Sequence, residues 1–167
     1  MLEYPLFLIF PAAMALAGAL DLFTMTIPNR ISLALVVGFL VAMPFSGLGL
    51  AGFAANVGTA MLVLAIGFIL FASGFLGGGD AKLIAAAALW FGPEHVLVFL
   101  LFTALAGGAL AIGILAFRSF LLPARFAAES WIARLHARKG KIPYGIAISA
   151  GSLLAFPRTI WFFTFAV

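Results

Sequence analysis

Phe53-Ala54-Ala55-Asn56-Val57-Gly58-Thr59-Ala60-Met61-Leu62-Val63-Leu64-Ala65-Ile66-Gly67-Phe68-Ile69-Leu70-Phe71-Ala72 is a run of twenty residues without a charge. About 20 such residues are what a helix needs to cross a bilayer. The apolar residues are continuous rather than alternating, which favours a helix over a barrel strand. The rest of the chain has the same character. Its 167 residues are 66% hydrophobic and 8% charged, with mean hydropathy +1.28, whereas a soluble domain carries about a quarter charged residues. The composition predicts an all-α integral membrane protein of about six transmembrane helices, forming a single membrane-embedded domain over residues 1–167 without a soluble domain.

Working outward from that run, Gly74 to Gly79 is a loop with four glycines, and a short span follows from about Asp80 to Phe91. Gly92-Pro93-Glu94-His95 reads as a turn, and a fifth span covers about Val96 to Phe117. Upstream, Phe45 to Gly52 reads as an uncharged glycine-rich turn. A second span covers about Ile31 to Met43 and ends at Pro44. Thr26 to Arg30 is a break, because Pro28 disfavours helix in the residue before it and Asn29 is a turn former. The first span covers about Tyr4 to Leu20. It lacks a basic leader, and Asp21 follows at once, so it reads as a retained span rather than a signal peptide. The last span begins near Pro143 and kinks or stops near Pro157.

Charge sets the orientation. Six of the nine Lys and Arg lie between Arg118 and Lys141. The net charge of +4 therefore reads as a basic cytoplasmic loop, residues 118–142, beside anionic lipid, and not as a nucleic-acid surface. Part of this loop reads as an amphipathic helix with Trp131, Ile132 and Leu135 on its apolar side. The breaks after spans 1, 3 and 5 hold Arg30, Lys82 and this cluster. The positive-inside rule puts those breaks in the cytoplasm and both termini outside, Arg158 being the exception.

This topology places Asp21 and Asp80, two of only five acidic residues, on the same side, each at a span end. An ionisable group at membrane depth is a functional candidate. Two close aspartates do not readily both ionise: one accepts a proton from water while the protonated partner stabilises the oxyanion that forms on a peptide carbonyl. The chain has no cysteine, which removes Cys–His catalysis and Cys-based zinc sites. His95 falls on the opposite side, and His136 has no nucleophile beside it. No metal and no cofactor is expected. Gly77, Gly78 and Gly79 permit φ > 0 and close backbone approach, so that an extended substrate could lie against them; taken alone they also read as a turn.

These residues carry a resemblance. Gly77-Gly78-Gly79-Asp80 resembles the GxGD motif of membrane aspartyl peptidases, and Lys82 fits the continuation GxGD-x-K. Asp21 followed by Ile27-Pro28-Asn29 is similar to the first aspartate of type IV prepilin peptidases. Ile142-Pro143-Tyr144-Gly145-Ile146-Ala147 resembles that family's entry to the last span, without its usual second proline after the glycine. The resemblance implies an aspartyl endopeptidase that removes the basic leader of prepilin or pseudopilin precursors at the cytoplasmic face of the inner or plasma membrane. It implies Asp21 and Asp80 as catalytic, with Gly77, Gly78, Gly79, Lys82, Pro28, Asn29, Pro143 and Tyr144 shaping the site. Larger relatives that also methylate the product carry a Cys-x-x-Cys insertion; this sequence looks like the short, peptidase-only branch, as in Tad/Flp pilus systems.

Plainer roles stand beside these. Lys82 either serves the site or snorkels to headgroups. Asn29 reads as a cap for the second span, Asn56 as a helix–helix hydrogen bond, and Glu94 and His95 as solvated turn residues. Arg118, Arg125, Arg134, Arg138, Lys139 and Lys141 read as facing lipid headgroups, with Glu129 paired to a nearby arginine. Two other functions use the same carboxylates: a small proton- or cation-coupled transporter, which predicts an internal repeat that is not seen, and a non-catalytic pilus or secretion assembly subunit with the aspartates as polar glue.

Overall fold

The computed structural model describes residues 3–120, 130–137 and 140–166. Among these, every regular element is helical: α1 (Glu3–Thr24), α2 (Asn29–Ala42), α3 (Gly49–Ala72), α4 (Gly78–Ser119), α5 (Ser130–His136), α6 (Tyr144–Ala155) and α7 (Ile160–Ala166), with 3₁₀ turns at Met43–Phe45 and Phe156–Arg158. Both 3₁₀ turns carry a proline, Pro44 and Pro157. A proline removes a donor and collides with the preceding turn, so the helix before it cannot continue. Two helices, α3 and α4, are long and apolar enough to cross a membrane; Leu8–Thr24 and Asn29–Phe45 are shorter apolar helices.

The 42 residues of α4 are two limbs, because Gly92 at φ 60°, ψ −173° breaks the helix before Pro93. Only glycine takes that conformation cheaply. Leu100 of the second limb lines the same cavity as Ala81 and Ile84 of the first. A straight helix would hold them about 24–28 Å apart, so the limbs fold back as a hairpin. The sequence boundary between the fourth and fifth spans is this turn.

The hairpin is the centre of the bundle. Its limbs pack on α2, α3 and α6, while α1 packs on α2, α6 and α7. The core near the hairpin tip is aromatic. Phe10 stacks on Phe156 at 4.7 Å, Phe91 on Phe99 at 4.7 Å, and Trp90 meets Trp161 edge-on at 5.0 Å. Each buried indole has a partner: Trp90 Nε1 donates to Leu35 O at 3.0 Å and Trp161 Nε1 to Trp90 O at 2.5 Å. Asn56 is buried in α3, and its Nδ2 donates to Leu89 O at 2.9 Å, the helix–helix bond expected of it.

The connections sort to two ends. A cavity of about 150 Å³ gathers Leu48 and Gly52 with Gly92 to His95, Thr159 and Ile160. At the other end, Met25 to Ile27, Gly77 to Gly79 and Lys141 to Tyr144 meet. Segments from the stretches read as the first and third breaks therefore meet the end of the basic segment.

Several boundaries move. α1 continues through Asp21 to Thr24, because nothing in Leu22-Phe23 opposes a helix. It ends at Met25, which takes φ 56° and whose N–H donates to Asp21 O at 2.9 Å. A bulky side chain is unusual in the left-handed conformation that closes helices, where glycine is the common choice. α3 starts at Gly49, inside the stretch read as a turn. In the basic segment, Arg118 is engaged by backbone carbonyls: its Nε donates to Leu135 O at 2.7 Å and its Nη2 to Gly140 O at 2.9 Å. Arg134 donates to Phe23 O, and Trp131 packs edge-on against the Phe23 ring at 5.5 Å. A carbonyl left open at a helix end or chain turn accepts a charged donor strongly where the contact is part-buried, as it is for Arg118. Arg125, Glu129, Arg138 and Lys139 lie outside the described residues.

Candidate active site

Asp21 lies one turn from the end of α1 and is buried, with 6% of its surface exposed. Its Oδ2 accepts a 2.6 Å hydrogen bond from the Gly145 N–H. That donor is one of the open N–H groups at the start of α6. The N-cap residue of α6 is Pro143, which makes no side-chain cap. Asp21 thus caps a helix that is 124 residues away in sequence.

This arrangement needs glycine at position 145. A Cβ there would lie 2.8 Å from both Asp21 Cβ and Asp21 Oδ2, and 2.9 Å from Ile27 Cδ1. Ile27 is wedged between two glycines, since a Cβ on Gly79 would meet it at 3.4 Å. Ile27 therefore packs against the entries of both α4 and α6, and Pro28 then starts α2.

Asp80 is half-buried in the first turn of α4. Its carboxylate turns back onto the backbone N–H of Gly77, the carboxylate half of a capping box. A Cβ on Gly77 would lie 2.5 Å from Asp80 Oδ2. The glycines are needed for close approach, not for their left-handed conformation. Gly77 is extended at φ −71°, and Gly78 and Gly79 are already helical. The positive φ in this loop belongs to Gly74, at 77°. The freedom to take φ > 0 at 77–79 is not used, because α4 begins two residues before Asp80.

Asp21 and Asp80 line one cavity of about 210 Å³, together with Met25, Thr26, Ile27, the three glycines, Lys141, Ile142, Pro143 and Tyr144. The carboxylates are close enough to interact electrostatically, and Lys141 interacts with Asp80. A paired carboxylate site with space for a peptide bond and a water molecule has the parts for acid–base hydrolysis. Among the described residues, no group of three or more His, Asp or Glu gathers that could hold a metal ion.

Of the residues singled out in the sequence, Asp21, Asp80, Gly77, Gly78, Gly79, Pro143 and Tyr144 meet here. Pro28, Asn29 and Lys82 do not line the cavity. Lys82 Nζ donates to Asn29 Oδ1 at 3.1 Å, tying α2 to α4 one step outside it. Asn29 is therefore not the cap of α2; Pro28 holds that position. Sequence reasoning missed three residues. Lys141 reads as one of the headgroup cations because it belongs to a basic cluster. Gly145 stands in the sequence only as part of a motif, and the contact that demands it comes from the far end of the chain. Met25 carries no local signal for its conformation.

The sequence profile of the type IV leader peptidase family matches residues 8–112, more than half of the chain. The chain belongs to the type IV leader peptidase family. It is a protease with a leader-peptidase type of function, and its apolar helices make it a membrane protein. The matched stretch contains both aspartates and the glycine loop. The segment that closes the cavity, Lys141 to Gly145, lies beyond it. No curated protein and no solved structure matches the chain.

Proposed function

We propose that this leader peptidase is an aspartyl endopeptidase that cuts the basic leader from prepilin or pseudopilin precursors, with Asp21 and Asp80 as its catalytic pair. The observation that carries the reading is that the two carboxylates, 59 positions apart in sequence, line one cavity. One carboxylate takes a proton from a water molecule, whose oxygen attacks the scissile carbonyl carbon. The other, protonated, hydrogen-bonds to the oxyanion and then delivers a proton to the leaving amine. Lys141 sets a positive charge beside this pair. The short connection between α1 and α2 and the cysteine-free sequence support a peptidase without the paired methyl transfer, of the Tad/Flp type.

The reading places one multi-pass peptidase domain of six spans in the inner or plasma membrane, with residues 118–142 in the cytoplasm, beside anionic lipid, and both termini outside. The convergence of the first, third and fifth breaks at the aspartate end supports it. Reporter fusions test the orientation: activity of a cytoplasmic reporter is expected near Arg125 and of an extracytoplasmic one at the C-terminus. A cytoplasmic C-terminus rules out the six-span arrangement.

The direct test of function is the purified protein in bilayers acting on a prepilin-like precursor. A leader peptide should be released, and a chelator should leave the rate unchanged. Loss of activity on chelation, restored by Zn²⁺, would refute the aspartyl mechanism, since zinc hydrolysis needs three protein ligands.

A further inference from the structure

Lys141 is the one cation among the described residues that line the aspartate cavity. Its side chain is long and exposed, so its place at the cavity depends on the backbone that carries it. That backbone is held by Arg118, at the end of the second limb of α4. Arg118 Nε donates to Leu135 O at 2.7 Å, while its Nη2 donates to Gly140 O at 2.9 Å and reaches Lys141 O at 3.4 Å. A guanidinium presents its donors in a rigid planar fork, so one side chain sets the spacing between the end of α5 and the entry to α6. Gly140 completes the clasp. Its N–H donates to Ala137 O at 2.8 Å. A Cβ on it would stand 2.6 Å from Arg134 O, 2.9 Å from Ala137 O and 3.1 Å from Arg118 Nη2. α5 is itself braced against two other helices. The His136 ring meets Phe117 of α4 edge-on at 5.3 Å, and Trp131 packs on Phe23, two residues beyond Asp21.

We infer that Arg118 is a positioning residue for the peptidase reaction: through the carbonyls of Leu135 and Gly140 it fixes the stretch of chain that presents Lys141 to the aspartate pair. The inference rests on the proposed function and adds how the cation of that site is held. A carboxylate pair that shares one proton carries one negative charge, here in a partly enclosed cavity. Lys141 balances that charge from the rim, where it interacts with Asp80. Arg118 cannot do so itself, because its donors are committed to carbonyls and it does not line the cavity. Without the fork, the Gly140 and Lys141 backbone is free to drift, and the ammonium turns to water or to lipid headgroups.

The test is a mutant cycle in bilayers, with a prepilin-like precursor as substrate and kcat expressed per folded enzyme from thermal unfolding. Lys141→Gln should lower kcat about tenfold, the scale of one unit charge removed beside a partly buried partner, with KM little changed. Arg118→Gln should do the same although it leaves Lys141 in the chain. The double variant should be no slower than either single one, because both remove the same charge from the cavity. Arg118→Lys should recover only part of the rate, since an ammonium cannot span the carbonyls as a fork does, whereas Lys141→Arg keeps the charge and should keep most of it. Arg30→Gln, which removes an exposed cation at the start of α2, should leave kcat as it was. Gly140→Ala carries the same test should Arg118→Gln not fold: it retains every hydrogen-bonding group, forces the clasp open, and should lower kcat about tenfold in the same way. A kcat unchanged in Lys141→Gln, or in Gly140→Ala together with any folded Arg118→Gln, would overturn the inference alone. So would losses that multiply to about 100-fold in the double variant, the sign of two independent roles. No cleavage by the unaltered enzyme would overturn the peptidase reading on which it rests.

Discussion

Asp21→Asn and Asp80→Asn are each expected to reduce precursor cleavage by at least about 10³-fold, the scale on which single members of a jointly acting catalytic set are felt. Each exchange keeps the shape of the side chain and removes its capacity to carry the proton. The structure explains why folding should survive. The amide oxygen of an asparagine at position 21 can still accept the Gly145 N–H, so α6 keeps its cap. At position 80 the same oxygen can still face the Gly77 N–H. A neutral amide is also cheaper at membrane depth than a carboxylate. The double variant should be no worse than either single one, because half a proton relay is no relay. Asp21→Ala behaves differently: it loses the same activity and also the cap, at a cost of about 1 kcal/mol in stability. Cleavage kinetics together with thermal unfolding in bilayers separate the two effects. Processing retained in either asparagine variant would remove the pair from catalysis. If both variants were inactive and unfolded, the aspartates would be structural glue, as in an assembly subunit.

How far the sequence reached depends on how local each signal is. The twenty-residue apolar run, the prolines at 44 and 157 and the Gly92-Pro93 break act within a turn or two of themselves. The helices and their breaks were therefore legible, and so was the convergence of alternate breaks, which follows from counting spans. The aspartates could be picked out because a carboxylate among apolar residues is expensive. Helix ends were less legible. α1 and α3 extend past their predicted limits because Leu22-Phe23 and Leu50-Ala51 are compatible with either state, and tertiary packing decides. Least legible were residues whose role is set by a distant partner. Arg118 looks like any membrane-surface cation until the carbonyls of Leu135 and Gly140 are placed around it. Lys82 and Asn29 belong by motif to the residues that shape the site, and only the structure pairs them with each other, one step outside the aspartate cavity.

Gly145→Ala is expected to lower kcat by about 10²-fold while leaving the helical fold in place. The added methyl carbon would stand 2.8 Å from Asp21 Cβ and Oδ2, closer than unbonded carbon and oxygen atoms approach. On the other side Ile27 Cδ1 stands at 2.9 Å, so a shift of α6 away from Asp21 requires the end of the Ile27 side chain to turn aside as well. The carboxylate must give way, and with it the 2.6 Å hydrogen bond that orients it. A displacement of about 1 Å in a catalytic group costs on the order of 10² in rate. The backbone offers no objection of its own, because position 145 is helical without positive φ, where alanine is favoured over glycine by about 1 kcal/mol. The prediction therefore has two readouts that separate: kcat should fall sharply, and thermal stability should change little. Gly108→Ala is the control, since a Cβ there meets nothing within 4 Å, and it should leave the rate as it was. If Gly145→Ala kept full activity, the contact between the start of α6 and Asp21 would have no part in setting the carboxylate, and Asp21 would need another source of orientation.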